Sequence, residues 1–275
     1  MKTLRLGGLL AALFLIPAGC SKATPPTKEA VAAAPPASLT QAAPGHTALT
    51  WFGQSYFLLT TAAGVRIAID PFPPSLGYTE PAVTADVVLV THDHFDHNAV
   101  DQVHGTFRQI FAAVGVTKVR GITVTGVRTY HDEKQGQERG PNAVYVIDAD
   151  GIRFCHLGDL DHLLTPEQLQ QIGKVDVLMI PVGGFFTIDA AKATQVVAQL
   201  KPRIIVPMHY RTEALRATPN AYDYLNEAQA FLQGKNVKSL KSNTVYVTAA
   251  GLPKTPVVYV PDYRRPPGPP PSAGP

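Results

Sequence analysis

Thr91-His92-Asp93-His94-Phe95-Asp96-His97 is the stretch on which the reading of this chain turns. It follows Asp86–Val90, where Val87, Val88, Leu89 and Val90 run without a polar break. A short continuous apolar run of this kind predicts a strand buried on both faces. The loop leaving it carries His92 and His94 two residues apart, with Asp96 and His97 directly after. With nine histidines in 275 residues, such clustering is not a chance event. Neutral imidazoles and carboxylates are the donors a divalent cation requires at roughly 2.0–2.2 Å. A loop leaving a buried strand end is held stiffly enough to aim several of them at one point. The alternative, a solvated polar loop, would have to keep all these groups in water, because burying them without a cation or partners is costly.

Composition narrows the chemistry further. The chain is 45% hydrophobic and 16% charged, which permits a real core and excludes wholesale disorder. Its formal net charge is +3, and removing Lys2 and Arg5 with a leader leaves +1, so there is no electrostatic footprint for nucleic acid. Two cysteines build neither a disulfide framework nor a thiolate-rich metal site. Any metal therefore falls to imidazole and carboxylate.

The ends read differently from the middle. Lys2 and Arg5 precede an apolar run, Leu6–Ile16, of signal-peptide length and too short to span a membrane as an ordinary helix. It closes in Pro17-Ala18-Gly19-Cys20, which resembles the lipobox of bacterial lipoproteins, with Pro17 standing where Leu is usual. We therefore expect a lipoprotein signal over 1–19 and an acylated Cys20. A plain secretory signal is the alternative. Ser21 after the cysteine favours the outer membrane by resemblance to Gram-negative sorting, so the expected location is the cell envelope, lipid-anchored. Residues 20–46 are rich in Pro and Ala and read as a tether. From Pro261 the run PDYRRPPGPPPSAGP reads as a disordered, proline-rich tail over 261–275.

Residues 47–260 form the expected domain, of about 215 residues. Strands are predicted at Thr47–Phe52, Tyr56–Thr60, Val65–Ile69, Asp86–Val90, Gln109–Val114, Ile122–Tyr130, Ala143–Ile147, Ile152–Leu157, Val175–Ile180, Arg203–Val206 and Thr244–Val247. Thr165-Pro166-Glu167-Gln168 opens a helix with an N-cap, a first-turn proline and a capping-box glutamine, and Gly173 ends it. Asp189 caps a second helix with Ala193, Val196, Val197 and Leu200 on one face. A third helix is expected over Tyr222–Leu232. Strands first, then strand–helix alternation, indicates a layered α/β fold.

The strand end at Asp70-Pro71, the HxHxDH pattern, Leu157-Gly158-Asp159 and Pro207-Met208-His209 occur in that order. Together they resemble the metallo-β-lactamase-fold hydrolases, closest to the branch with sugar-phosphate lactonases and the phospholipase D acting on N-acyl phosphatidylethanolamines. The resemblance implies a four-layer αββα sandwich and two divalent metal ions, zinc before manganese or iron. It puts His92 and His94 on one ion, Asp96, His97 and His209 on the other, and Asp159 between them. The family's usual third motif is missing, and His131, at the end of the strand Ile122–Tyr130, is the best candidate to replace it.

The residues support this on their own terms. His92, Asp159 and His209 each follow a predicted strand end, so they can meet on one rim, and Gly158 lets the backbone turn sharply before Asp159. Asp70 also ends a strand and is read as accepting from a ligand imidazole, a turn-forming aspartate before Pro71 being the alternative. Two ions sharing a water lower its pKa, and the hydroxide attacks carbonyl carbon or phosphorus, with Asp96 orienting it. His162 is a candidate general acid or a supporting residue. Arg139 is a candidate anion grip or a surface residue. Tyr210 and Arg211 are expected at the mouth, and Gly183-Gly184-Phe185-Phe186 as an apolar wall or a packing turn. His46 and His104 read as loop residues, His156 as packed and Cys155 as a buried thiol. The expected function is metal-dependent hydrolysis of an ester, lactone or phosphodiester. The alternatives are a non-catalytic metal-binding envelope lipoprotein and a β-lactamase. The expected partners are a small-molecule or lipid substrate and, through Cys20, the membrane.

Overall fold

A computed structural model describes residues 45–79, 82–217 and 221–268. The expected leader, the tether up to residue 44 and the last seven residues lie outside these. The described chain forms two mixed sheets packed face to face, with short helices outside them. The strands, in chain order, are β1 (Thr47–Gly53), β2 (Tyr56–Thr60), β3 (Arg66–Ile69), β4 (Val87–Val90), β5 (Arg108–Phe111), β6 (Gly115–Val119), β7 (Ile122–Tyr130), β8 (Pro141–Ala149), β9 (Ile152–His156), β10 (Val177–Pro181), β11 (Ile204–Met208), β12 (Val237–Ser239), β13 (Thr244–Val247) and β14 (Val257–Val260). One sheet has the order β13-β1-β2-β3-β4-β5, the other β12-β14-β11-β10-β9-β8-β7-β6.

The pairing directions explain where function can sit. β3, β4 and β5 are mutually parallel. In the other sheet β8 is antiparallel to both β7 and β9, and β9, β10 and β11 are parallel, so β7, β9, β10 and β11 all end on one edge. The loops after β3, β4, β7, β9 and β11 therefore share one rim.

The middle of the sandwich is aliphatic and aromatic. Trp51, Phe57, Leu59, Ile67 and Leu89 from the first sheet meet Tyr145, Phe154, Met179 and Val206 from the second. Tyr145 also pins the sheets together: its hydroxyl donates to the Val90 carbonyl at 3.0 Å and accepts from the Ala113 N–H at 3.1 Å. The outer face of the second sheet is covered by α1 (Pro166–Ile172) and α2 (Ala190–Leu200). The predicted capping box of α1 is present, with Gln168 N donating to Thr165 Oγ1 and Thr165 N donating to Gln168 Oε1. Asp189 caps α2, which buries Ala193, Val196 and Leu200.

The outer face of the first sheet packs against α3 (Glu213–Ala217) through Leu215, and against a 3-10 turn, Ala221–Tyr224, through Tyr222. The single third helix expected over Tyr222–Leu232 is thus incorrect. The segment breaks into the 3-10 turn and α4 (Gln229–Leu232), because Tyr222 and Leu225 turn toward one sheet while Ala228 and Phe231 turn toward the other. Three short strands, β6, β12 and β14, were not expected. β6 has no buried residue and β12 only one half-buried, so neither has the alternation that marks a strand.

The proline-rich end also departs from expectation. Residues 261–268 are ordered against the domain rather than free. The ring of Tyr263 lies edge-on to Trp51 at 5.7 Å and to Tyr78 at 5.1 Å. Its hydroxyl accepts from the Ala214 N–H at 3.0 Å. Gly268 N donates to Ser242 Oγ, and Tyr246 donates to the Gly268 carbonyl. One aromatic residue among prolines supplied the apolar group that the composition did not advertise. Tyr263→Ala is expected to cost about 2–3 kcal/mol, somewhat less than a fully buried aromatic truncation. This would be read as a lower urea midpoint at unchanged m; a shift inside experimental error would mean that the segment contributes nothing.

Candidate metal centre

The centre is assembled from strand ends of both sheets. β4 delivers His92, His94, Asp96 and His97; β7 delivers His131; β9 delivers Asp159; β11 delivers His209. All are buried except His94, which is half-buried, and Asp159 stands in the middle. Its Oδ2 lies 3.1 Å from His131 Nε2, 3.2 Å from His209 Nε2, 3.3 Å from His97 Nε2 and 3.8 Å from His92 Nε2. The donor atoms sort into a group of His92, His94 and His131 and a group of Asp96, His97 and His209, each within 4.8 Å of one another.

Local backbone chemistry sets these positions. Gly158 has φ 55°, and a Cβ there would stand 2.3 Å from Asn142 Oδ1. That closeness lets Asn142 Oδ1 accept from the Asp159 N–H, at 3.1 Å, while its Nδ2 donates to the Leu157 carbonyl. His209 is held in the left-handed region at φ 50°, which costs a non-glycine residue on the order of 1 kcal/mol or more. Its N–H donates to the Gln54 carbonyl, and its carbonyl accepts from Gly183 N, where a Cβ would clash at 2.2 Å. Asp70 acts as expected. Its Oδ2 accepts from His97 Nδ1 at 2.9 Å, which aims His97 Nε2 inward, and its carboxylate also takes the Thr91 N–H and hydroxyl.

The electrostatics are those of a site short of positive charge. Burial opposes ionisation of Asp159, yet His209 and His97 hold its carboxyl well below the usual range. Asp96 behaves likewise, lowered chiefly by His97 against the same desolvation. His97 is pushed well above the ordinary imidazole value, because Asp159 and Asp96 outweigh its burial. Burial and the neighbouring imidazoles push His92 and His94 the other way, keeping them neutral. Neutral imidazole is the form that ligates metal.

A divalent cation fits this donor set. His97 Nε2 and Asp159 Oδ1, both turned into the centre, are buried with no hydrogen-bond partner among the described residues. Each such atom ordinarily costs roughly 1–3 kcal/mol. His92 Nε2 and His94 Nδ1 face each other at 3.1 Å, a spacing that one shared proton or one shared cation can hold. His92, His94 and His131 would hold one ion, Asp96, His97 and His209 a second, with Asp159 reaching both.

Several expected or unforeseen residues find their places. Arg139 and Phe186 line the cavity over the donors, with Phe95 and Tyr222; its volume is about 400 Å³. His156 is packed, with Nε2 on the Ser55 carbonyl at 3.0 Å, and Cys155 is a buried free thiol. His46 and His104 stay outside the centre. His162 is not in the site, correcting the expectation of a general acid. Its Nε2 accepts from the Tyr130 N–H and its Nδ1 bonds the Leu163 carbonyl, so both ring nitrogens serve the backbone and the ring faces a different hollow. Tyr210 and Arg211 do not line the mouth either. Tyr210 packs on Trp51 at 5.5 Å, and Arg211 binds the Asp223 carbonyl.

Sequence reading missed Gln54, Asn142, Tyr222 and Asp132. Gln54 Nε2 donates to Asp96 Oδ2 at 3.0 Å, and the Tyr222 hydroxyl also bonds Asp96. Asp132 accepts from the N–H groups of Lys134, Gly136, Glu138 and Arg139 at 2.8–3.0 Å, so it shapes the whole loop after His131. An aspartate followed by two glycines was the available signal for such a turn.

The comparisons agree with this architecture. The Beta-lactamase superfamily domain matches residues 48–209. A UPF0173 metal-dependent hydrolase of Anaeromyxobacter sp. is 33% identical over 236 residues, covering 71% of this chain and 84% of its own. A UPF0173 metal-dependent hydrolase of Thermococcus onnurineus is 33% identical over 174 residues, covering 54% of this chain and 78% of its own. Among solved structures, a Thermotoga maritima protein, named for zinc-dependent hydrolysis in the metallo-beta-lactamase superfamily, is 37% identical with a TM-score of 0.65. That likeness covers 78% of this chain and 97% of the other.

The Asp132 loop gives a pH prediction. Desolvation raises the Asp132 carboxyl, but the backbone N–H groups, Arg139 first, bring it down to about 2. A depressed carboxyl contributes stability that is full above its unfolded value of about 3.9 and is lost as pH falls through the folded value. Asp132→Asn should therefore lower Tm at pH 7, with the gap to wild type closing between pH 4 and about 2. A gap that stays constant with pH would show that the ionised carboxylate is not what holds the loop.

Proposed function

The chain belongs to the metallo-β-lactamase superfamily of metal-dependent hydrolases, and from that footing we propose that it cleaves an ester, lactone or phosphodiester bond with water, using two divalent ions, most simply zinc. The observation that carries this reading is the convergence of four imidazole Nε2 atoms on one buried Asp159 oxygen at the floor of an open cavity. Bound there, the ions would supply Lewis acidity, polarising a substrate oxygen and acidifying water at the site.

The protein's own groups do the rest. Asp70 fixes His97, and Gln54 and Tyr222 fix Asp96 at the cavity wall. Asp96, held at the cavity wall by Gln54 and Tyr222, keeps a carboxylate oxygen placed to orient the attacking water and accept its proton. For an ester the water oxygen bonds to the acyl carbon, the acyl–oxygen bond breaks, and the alcohol leaves with a proton.

His92→Ala and Asp159→Ala are expected to lose metal by elemental analysis and to lower kcat/KM by about 100-fold or more, a larger loss than removing a supporting residue. Wild-type protein is expected to bind two ions per chain and to be silenced reversibly by chelator. Full activity in folded, metal-free protein would overturn the proposal.

Place is the second part of the reading. The basic start, the apolar run Leu6–Ile16 and the small residues before Cys20 support lipid anchoring in a cell envelope. Expressed with its leader in a Gram-negative host, the wild type should fractionate with membranes and Cys20→Ala should not. Equal membrane retention of both would rule the anchor out.

A further inference from the structure

The cavity above the candidate ligands joins two chemistries. Phe95, Phe186 and Tyr222 make one side of it apolar, and Phe95 is 65% exposed. An aromatic ring held in water at a cavity mouth gains when an apolar group covers it. Against this surface stands Arg139, among the described residues lining the cavity the one with a fixed positive charge.

Arg139 is positioned rather than dangling. Its N–H is tied to Asp132 Oδ2 at 2.8 Å. Its Nη1 donates to Asp161 Oδ2 at 3.2 Å, and its guanidinium carbon lies 5.9 Å from the centre of the Phe186 ring. A guanidinium offers five N–H donors, and among the described contacts Asp161 engages one. About a third of the side chain remains exposed. A cavity-lining cation fixed at its base and paired at one donor with the Asp161 carboxylate has already met much of the ordering cost of binding an anion through its remaining donors.

We propose that the substrate carries two arms around the bond that is cut: an anionic group, carboxylate or phosphate, held by Arg139, and an apolar arm laid on Phe95, Phe186 and Tyr222. This rests on the hydrolytic reading above and narrows it to amphipathic anions. Arg139 is then a specificity residue, acting on KM more than on kcat.

The test compares the 4-nitrophenyl monoester of glutarate with 4-nitrophenyl pentanoate, equal in chain length but uncharged in the acyl arm. Zinc-loaded wild type, Arg139→Gln and Arg139→Lys are assayed with both. Glutamine removes the charge and lysine keeps it, and the thermal melt of each variant separates a folding defect from loss of the anion site. Wild type should prefer the anionic ester by about tenfold to a hundredfold in kcat/KM, the range of one charge-assisted hydrogen bond. R139Q should lose that preference through KM, and R139K should retain part of it. Equal preference in wild type and R139Q overturns the proposal.

If neither ester is cut, calorimetric titration with 3-phenylpropanoate and with neutral 3-phenylpropan-1-ol decides the matter without turnover. Tighter binding of the acid to wild type than to R139Q supports the two-armed site, and equal binding overturns it. Failure to turn over any ester, lactone or phosphodiester counts instead against the hydrolytic reading.

Discussion

One carboxylate oxygen, Asp159 Oδ2, buried among four imidazole nitrogens, organises this protein. A buried anion is tolerated only when cations or strong donors surround it. Here the surrounding groups arrive from the ends of β4, β7 and β11, so the strand directions in both sheets are bound up with the electrostatics of one atom. The parallel run of β9, β10 and β11, the hydroxyl of Tyr145 that ties β8 to the end of β4, and the close approach of Gly158 to Asn142 all bear on the same rim.

Much of the site was legible because its signals are local. An apolar run followed by a ligand-type residue can be read from a few neighbours, and β4 with His92–His97, β9 with Asp159 and β11 with His209 all have that form. His131 was legible for the same reason, although no family motif marks it. Asp70 was legible only in part, since a strand that stops in Asp-Pro reads equally as a plain turn, and it is the His97 contact that decides.

What stayed hidden depends on distant pairing. Gln54 lies 42 residues from the Asp96 it holds, and Tyr222 stands in a segment whose pattern suggested one helix. Neither position carries a local mark of function. His162 shows the converse error: three residues from Asp159 in sequence, it is turned away because the Tyr130 N–H takes one ring nitrogen. In the same way Tyr263 looked like part of a solvated tail until Trp51 and Tyr78, both remote in sequence, were brought beside it.

The donor atoms come from both sheets: His92, His94, Asp96 and His97 from one, His131, Asp159 and His209 from the other. A cation at their meeting point is then a cross-link as well as a reagent. By mass action, a ligand present at a thousand times its dissociation constant adds roughly 4 kcal/mol to the stability of the state that binds it. For this chain the state that would bind a cation is the docked sandwich, so a bound ion would stabilise the contact between the two sheets as well as the site.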